Sequence, residues 1–350
     1  MNGCYNSMLV HRILLASWLC CAGLANRGLA DLVQVAASNG RAPTRAIEGT
    51  VLDYTGRVLK LQTAAGRQRV FPAGRIRAVQ TDWNPEHQAG NQAWRQADWQ
   101  AAVAHYRAAN RAESRAWVRR QILSRLMRCH QAMGDLTAAG KLFLLIVSSD
   151  PDTPAYQYLP LCWSAAAAAD PKQAESWLAE VKVPAAMLLG ASHLLATPAR
   201  ARALDALIGL RQRQARPQAT VSASAPISTF ATVQIWRARA LEATQDDVRR
   251  WTRQVETFPE PLRAGPYFVL GACCQRLRQP QQATLFYLRL PILYGDHIPL
   301  AARALLAAAR LQQQKQDRTA AITLLKEVVS RYKGTIEYPI AQRLLQDWNK

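Results

Sequence analysis

The sequence predicts a mainly α-helical protein: a solenoid of helical hairpins, preceded by a small antiparallel β module. Three observations carry that expectation. The chain of 350 residues is 49% hydrophobic with only 17 glycines, and it is rich in alanine, the strongest helix former. A marker of small, large and small residues recurs from about residue 100 to the end. Before it lie short β-type runs separated by turn residues, over 45–82.

Residues 1–30 come first. Arg12 is followed by an apolar run, Ile13 to Ala25. That run falls short of the ~20 residues that span a bilayer. It matches the apolar core of a secretory signal, with Gly28-Leu29-Ala30 as a cleavage region before Asp31. Trp18 and Leu19 stand where a lipoprotein signal needs small residues before Cys20 or Cys21. The expectation is an exported chain, periplasmic or secreted, with no transmembrane span left after cleavage. Residues 31–44 show no periodicity and read as a linker.

Residues 45–82 read as a meander of three or four strands. Leu59 and Leu61 flank Lys60, which is period-two alternation. Val51, Val70, Phe71, Ile76 and Val79 supply further apolar positions. Turn signals separate the runs at Asp53–Gly56, Ala65–Arg67 and Pro72–Gly74.

Residues 83–350 read as helical hairpins. Gly90 precedes Ala102, Tyr106 and Ala109, which take the small, large and small places. Gly134-Asp135 make a turn, Ala139 and Phe143 follow, and Pro151 closes the unit. Asp170-Pro171, Ala174 and Leu178 mark a third unit. Gly271, Pro280, Ala283 and Tyr287 repeat the scheme, as do Asp317, Ala321, Leu325 and Val328. Val248, Trp251 and Val255 mark a degenerate unit, and another is expected around Ala203 to Leu210. Residues 213–228, with Pro217 and Pro226 in a Thr/Ser/Ala run, read as an irregular loop or hinge.

On these residues the chain resembles the tetratricopeptide repeat proteins, and among them exported bacterial envelope proteins. The family unit is 34 residues, and the units here run slightly longer. Arg278 and Gln316 stand where the second unit has Gly134. The resemblance implies stacked hairpins, each covered by the next, and a helical surface that binds a peptide or protein.

No catalytic constellation stands out. There is no Gly-x-Gly-x-x-Gly, no phosphate loop, no His-Glu-x-x-His and no Gly-x-Ser-x-Gly. His87, His105, His130, His193 and His297 are scattered. Cys129 adjoins His130, but no second ligand pair lies near, so no metal and no cofactor are expected. Beyond the signal four cysteines remain: Cys129, Cys162, Cys273 and Cys274. Cys162 reads as helix core, and the adjacent pair as small apolar side chains within a helix. Arg107, Arg111, Arg115 and Arg119 are spaced by four, but a turn expected near 110–114 breaks that stripe.

The formal net charge is +20, nearly all of the excess arginine. A field of this sign attracts anions. The sequence therefore leads to a non-catalytic scaffold of the cell envelope, with a protein or peptide partner. An anionic envelope polymer or surface is the alternative ligand, and an accessory subunit of an envelope enzyme a further alternative. Nucleic acid is not expected, because an exported protein rarely meets it.

Overall fold

The computed structural model of the chain describes residues 30–36, 44–164, 171–180, 182–194 and 224–348. The expected signal, apart from Ala30, lies outside these residues, as do the unit expected at 203–210 and residues 213–223. The chain divides into two compact units, residues 1–83 and 84–350.

The first unit is a five-stranded antiparallel sheet. Its strands are β1 (Asp31–Val35), β2 (Arg45–Tyr54), β3 (Val58–Gln62), β4 (Gln68–Pro72) and β5 (Ile76–Gln80), in the order β4-β3-β2-β1-β5. β2 serves two neighbours. Its first half pairs with β1 (Val33 opposite Ile47) and its second half with β3 (Val51 opposite Leu61). Val33, Val35, Val51, Leu59, Leu61 and Phe71 are buried and form the apolar face. Asp31 is also buried, and its Oδ2 accepts from the Val51 amide at 2.6 Å.

This corrects two expectations. Residues 31–35 are not linker but an inner strand, hydrogen-bonded on both sides. The four strands within 45–82 match the expected number, but β5 pairs with β1 rather than with β4, so the five-stranded sheet is not a simple meander. Alternation over Leu32–Val35 is too short to register as a period, and one partner, β5, begins some forty residues on.

The second unit is helical: α1 (Pro85–Arg95), α2 (Trp99–Ala112), α3 (Ala116–Ala132), α4 (Leu136–Ser149), α5 (Pro171–Ala179), α6 (Pro184–Leu194), α7 (Ser224–Ala238), α8 (Gln245–Val255), α9 (Ala264–Arg276), α10 (Pro280–Leu293), α11 (Ile298–Gln314), α12 (Arg318–Arg331) and α13 (Glu337–Trp348). α1/α2, α3/α4, α5/α6, α9/α10 and α11/α12 pack as hairpins. α2 ends at Ala112 and α3 starts at Ala116, so the expected arginine stripe is indeed broken.

One turn design recurs four times. Ala97, Gly134, Arg278 and Gln316 all have positive φ, between 56° and 82°. In each case the next residue's amide bonds back five residues, as in Asp98 to Ala93 O and Asp317 to Gln312 O. This left-handed closure satisfies carbonyls that the ending helix leaves open. The next residue then caps the following helix. Asp98, Asp135 and Asp317 each accept from the amide three residues on, at 2.9–3.0 Å, an arrangement worth about 1 kcal/mol. Arg278 and Gln316 lack glycine's freedom, yet adopt glycine's conformation.

Two glycine–tyrosine contacts bring paired helices close together. A Cβ on Gly90 would lie 2.7 Å from the Tyr106 ring, and one on Gly271 2.7 Å from the Tyr287 ring. Both tyrosines are buried and stand sixteen residues after their glycine. The buried hydroxyls are bonded, Tyr106 to Asn91 and Tyr287 to Gln275.

The third expected unit departs from the scheme. Residues 154–164 form a 3₁₀ turn (Pro154–Tyr158) and then irregular chain, not a first helix. Thr153 caps that turn, and Pro154 and Pro160 hinder a regular α-helix. Cys162 is thus buried in irregular chain rather than helix. In α5, Trp177 is the large core residue, placed against Gly140 of α4, while the partly buried Leu178 meets Gly190 of α6. Residues 224–228 also depart from expectation. They open α7 instead of belonging to a loop, and Ile227 is buried there.

The array folds back so that its first hairpins face its last. Trp99 Nε1 at the start of α2 donates to Lys333 O after α12, at 3.1 Å. α3 packs against α11.

Candidate functional site

Where the array folds back, it encloses a partly open cavity of about 550 Å³. That lies within the range of small-ligand and peptide-fragment sites. Its walls come from α1 and α3, the irregular chain 157–164, α7, the start of α9, α11 and α13.

One wall is an alternating stack of cations and rings. The Arg125 guanidinium sits 5.0 Å from the Trp94 ring. Arg128 lies between Trp94 (4.8 Å) and Tyr158 (4.1 Å). The Tyr158 and His297 rings follow, 4.9 Å apart. Arg128 Nη2 also donates to Asp296 O at 2.7 Å, and Gln131 donates to Tyr158 O at 2.9 Å. The stack therefore ties α1 and α3 to the residue that caps α11. Each stacked guanidinium contributes about 1–2 kcal/mol where water is excluded. Burial lowers the Arg128 pKa from the usual arginine value. Burial first, and then Arg128, push His297 down to about 4, so it stays neutral at pH 7.

The opposite wall is apolar. The Trp163 ring meets Phe230 edge-on at 5.8 Å and lies tightly over Gly265, which leaves no room for a Cβ there. The chain bearing Trp163 is fixed from behind by Arg237. This buried side chain donates to Ser164 O (2.8 Å), Ser192 O (2.6 Å) and Gln234 Oε1 (2.7 Å). Gln234 in turn donates to Cys162 O at 3.2 Å. Three carbonyl-type oxygens thus solvate a buried charge.

At the α13 side, Arg303 Nε donates to Glu337 Oε1 at 3.0 Å. Glu337 is buried, and its Oε2 has no hydrogen-bond partner among the described residues. The Arg303 Nη groups make no hydrogen bond there either. Arg310, exposed, completes the polar lining.

The residues singled out from sequence hold the hairpins together. Gly90, Ala102, Tyr106, Ala109, Ala139, Phe143, Gly271, Ala283, Tyr287 and Ala321 are all buried between helices. Pro151 sits in an exposed turn. Gly134 alone also lines the cavity, across from Ile336.

The thiols of Cys129 and Cys162 are pushed up to about 12 and about 11 by burial, and Cys273 and Cys274 likewise to about 12 and about 11. Such thiols stay protonated at neutral pH and are poor nucleophiles. His130 bonds Asp135 at 3.1 Å, a contact beside the turn. Among the described residues no group of three His, Cys, Asp or Glu side chains is placed to hold a metal ion, and no helix is long and apolar enough to cross a membrane.

Sequence reasoning missed the cavity residues because they are contributed by seven separate stretches. The available signal was the run of arginines and aromatics at 94, 125, 128 and 158, whose convergence depends on the fold-back. Compared with known proteins, the chain matches no family model and no curated protein.

Proposed function

We propose that this chain is a non-catalytic interaction scaffold of the tetratricopeptide kind, exported to the bacterial cell envelope, and that it binds a peptide or protein in the fold-back cavity. The observation that carries this reading is the cavity itself. It combines aromatic walls, a rigid cation–ring stack and a small number of polar groups, the usual composition of a recognition site. The wall residues are held by neighbours, so little ordering is needed on binding. Export rests on the signal-like segment at residues 1–30.

The test is photo-crosslinking in cells, with a reactive amino acid at Ile336, followed by identification of the captured protein. Ile336 lines the cavity and is 48% exposed. Reproducible capture of one partner supports the reading. Capture no different from that at an exposed helix position such as Lys326 counts against it.

The alternative ligand is an anionic envelope polymer, favoured by the net charge of +20. Binding to exposed charge falls steeply as salt rises. A complex that persists in 0.5 M salt argues for the peptide. Arginines are paired with Glu113, Glu256, Glu327 and Glu337, and each such pair cancels one charge of each sign and leaves the net excess in place.

A further inference from the structure

We infer that the Arg303–Glu337 pair is a backbone reader, and that the cavity takes an extended peptide segment through the N–H and C=O of one residue bonded to this pair. The inference rests on the peptide-scaffold reading above and names the contact that does the recognising.

Glu337 is 4% exposed, and only its Oε1 is bonded. A buried carboxylate oxygen without a donor is costly, by about 1–3 kcal/mol or more. Beside it, Arg303 spends Nε on Oε1 and keeps its Nη donors free, on a side chain still 32% exposed. The pair is already neutral in sum, so it does not call for a charged ligand. It lacks one donor and offers donors of its own. One residue of an extended peptide supplies the complement, because its N–H and C=O point to the same side: the N–H donates to Glu337 Oε2, turned toward the cavity on binding, and the C=O accepts from Arg303 Nη. A free carboxylate or phosphate would satisfy Arg303 but place an anion against Glu337.

The surroundings favour a peptide over other amides. Trp163, Phe230 and Leu306 line the same cavity with apolar surface for a flanking side chain. The opening at Ile336 lets a chain enter and leave. A volume of about 550 Å³ exceeds what one side chain fills.

The experiment uses the full second unit within the intact chain. A fluorescein-labelled pool of hexapeptides with central Leu or Phe is titrated by fluorescence anisotropy. The same pool is prepared with the central backbone amide N-methylated, and N-acetylglucosamine trimer serves as the sugar amide. The decisive variant is Glu337→Gln. It can keep an oxygen toward Arg303 while turning the unpartnered acceptor into a donor. The expected result is saturable peptide binding that weakens at least tenfold in E337Q and at least tenfold on N-methylation. Ile336→Trp, at the half-exposed mouth, is expected to weaken it as well, and it replaces E337Q if that variant melts early. Peptide binding that none of these changes weakens overturns the inference. So does binding of the sugar trimer without the peptides, and so does absence of peptide binding by a wild-type protein with its full melting transition. Partner capture that is equal in wild type and E337Q would overturn this inference and leave the scaffold reading standing. Loss of capture in the wild type removes the scaffold reading itself.

Discussion

The recurrent turn offers a sharp physical test. Arg278 and Gln316 are exposed and hold φ at 57° and 64°. An L-residue in that region is disfavoured by about 1–2 kcal/mol. Glycine removes that strain but gives the unfolded chain extra freedom, which takes back about 0.5–1 kcal/mol. Each of Arg278→Gly and Gln316→Gly should then stabilise by about 0.5–1 kcal/mol. The double variant should gain about 1–2 kcal/mol, because the sites lie in separate turns and add. At about 2–4 °C per kcal/mol for a unit of this size, the melting point should rise about 2–8 °C. Two controls fix the sign. Lys326→Gly, exposed inside α12, should lose about 1 kcal/mol. Gly134→Ala should lose about 1 kcal/mol from φ alone, because a Cβ there meets nothing closer than 3.6 Å. Circular dichroism at 222 nm during thermal and urea unfolding reads all four. If the turn variants lose as much as Lys326→Gly, the left-handed closure is not what ends these helices.

Three further outcomes are expected. Gly271→Val should destabilise by about 2–3 kcal/mol, because its Cβ would stand 2.7 Å from a buried ring, whereas Gly74→Ala, with open space around it, should be neutral in the same melts. Arg237→Met should cost about 3 kcal/mol by leaving three oxygens without their donor, and urea titration checks it; an unchanged midpoint would show that the arginine does not fix the Trp163 segment. Acid should weaken the fold between pH 7 and pH 5. His297 titrates at about 4 when folded against 6.5 as a free side chain, and His193 shifts in the same direction by burial. The unfolded chain therefore takes up protons first, and stability present above pH 6.5 is lost as pH falls toward the folded value. The melting point should be lower at pH 5 than at pH 7.5, and His297→Gln should shrink that difference; equal differences in wild type and variant would contradict the assignment.

Much of the helical unit was legible because its rules are local. A glycine sixteen residues before a tyrosine needs only two adjacent helices to become a contact, so Gly90–Tyr106 and Gly271–Tyr287 could be anticipated. The capping aspartates Asp98, Asp135 and Asp317 act within four residues of themselves. Strand β1 was not legible, because five residues carry too short an alternation and its pairing with β5 is distant. The missing first helix at 154–164 followed from two prolines whose joint effect a repeat template overrode. The cavity was the least legible part. Arg303 and Glu337 are 34 residues apart, and nothing in either local sequence announces that one oxygen of the glutamate would remain unbonded.

The bond from Trp99 to Lys333 changes what kind of polymer this array is. In an open stack each hairpin is coupled only to its neighbours, and ends fray independently. Here the terminal hairpins are neighbours too, so the chain of couplings closes into a circuit. Trimming α13 and the segment before it would be felt at residue 99, some 230 positions away along the chain and in direct contact in space. Loosening either end loosens both, and the space enclosed between them exists only while the circuit is closed.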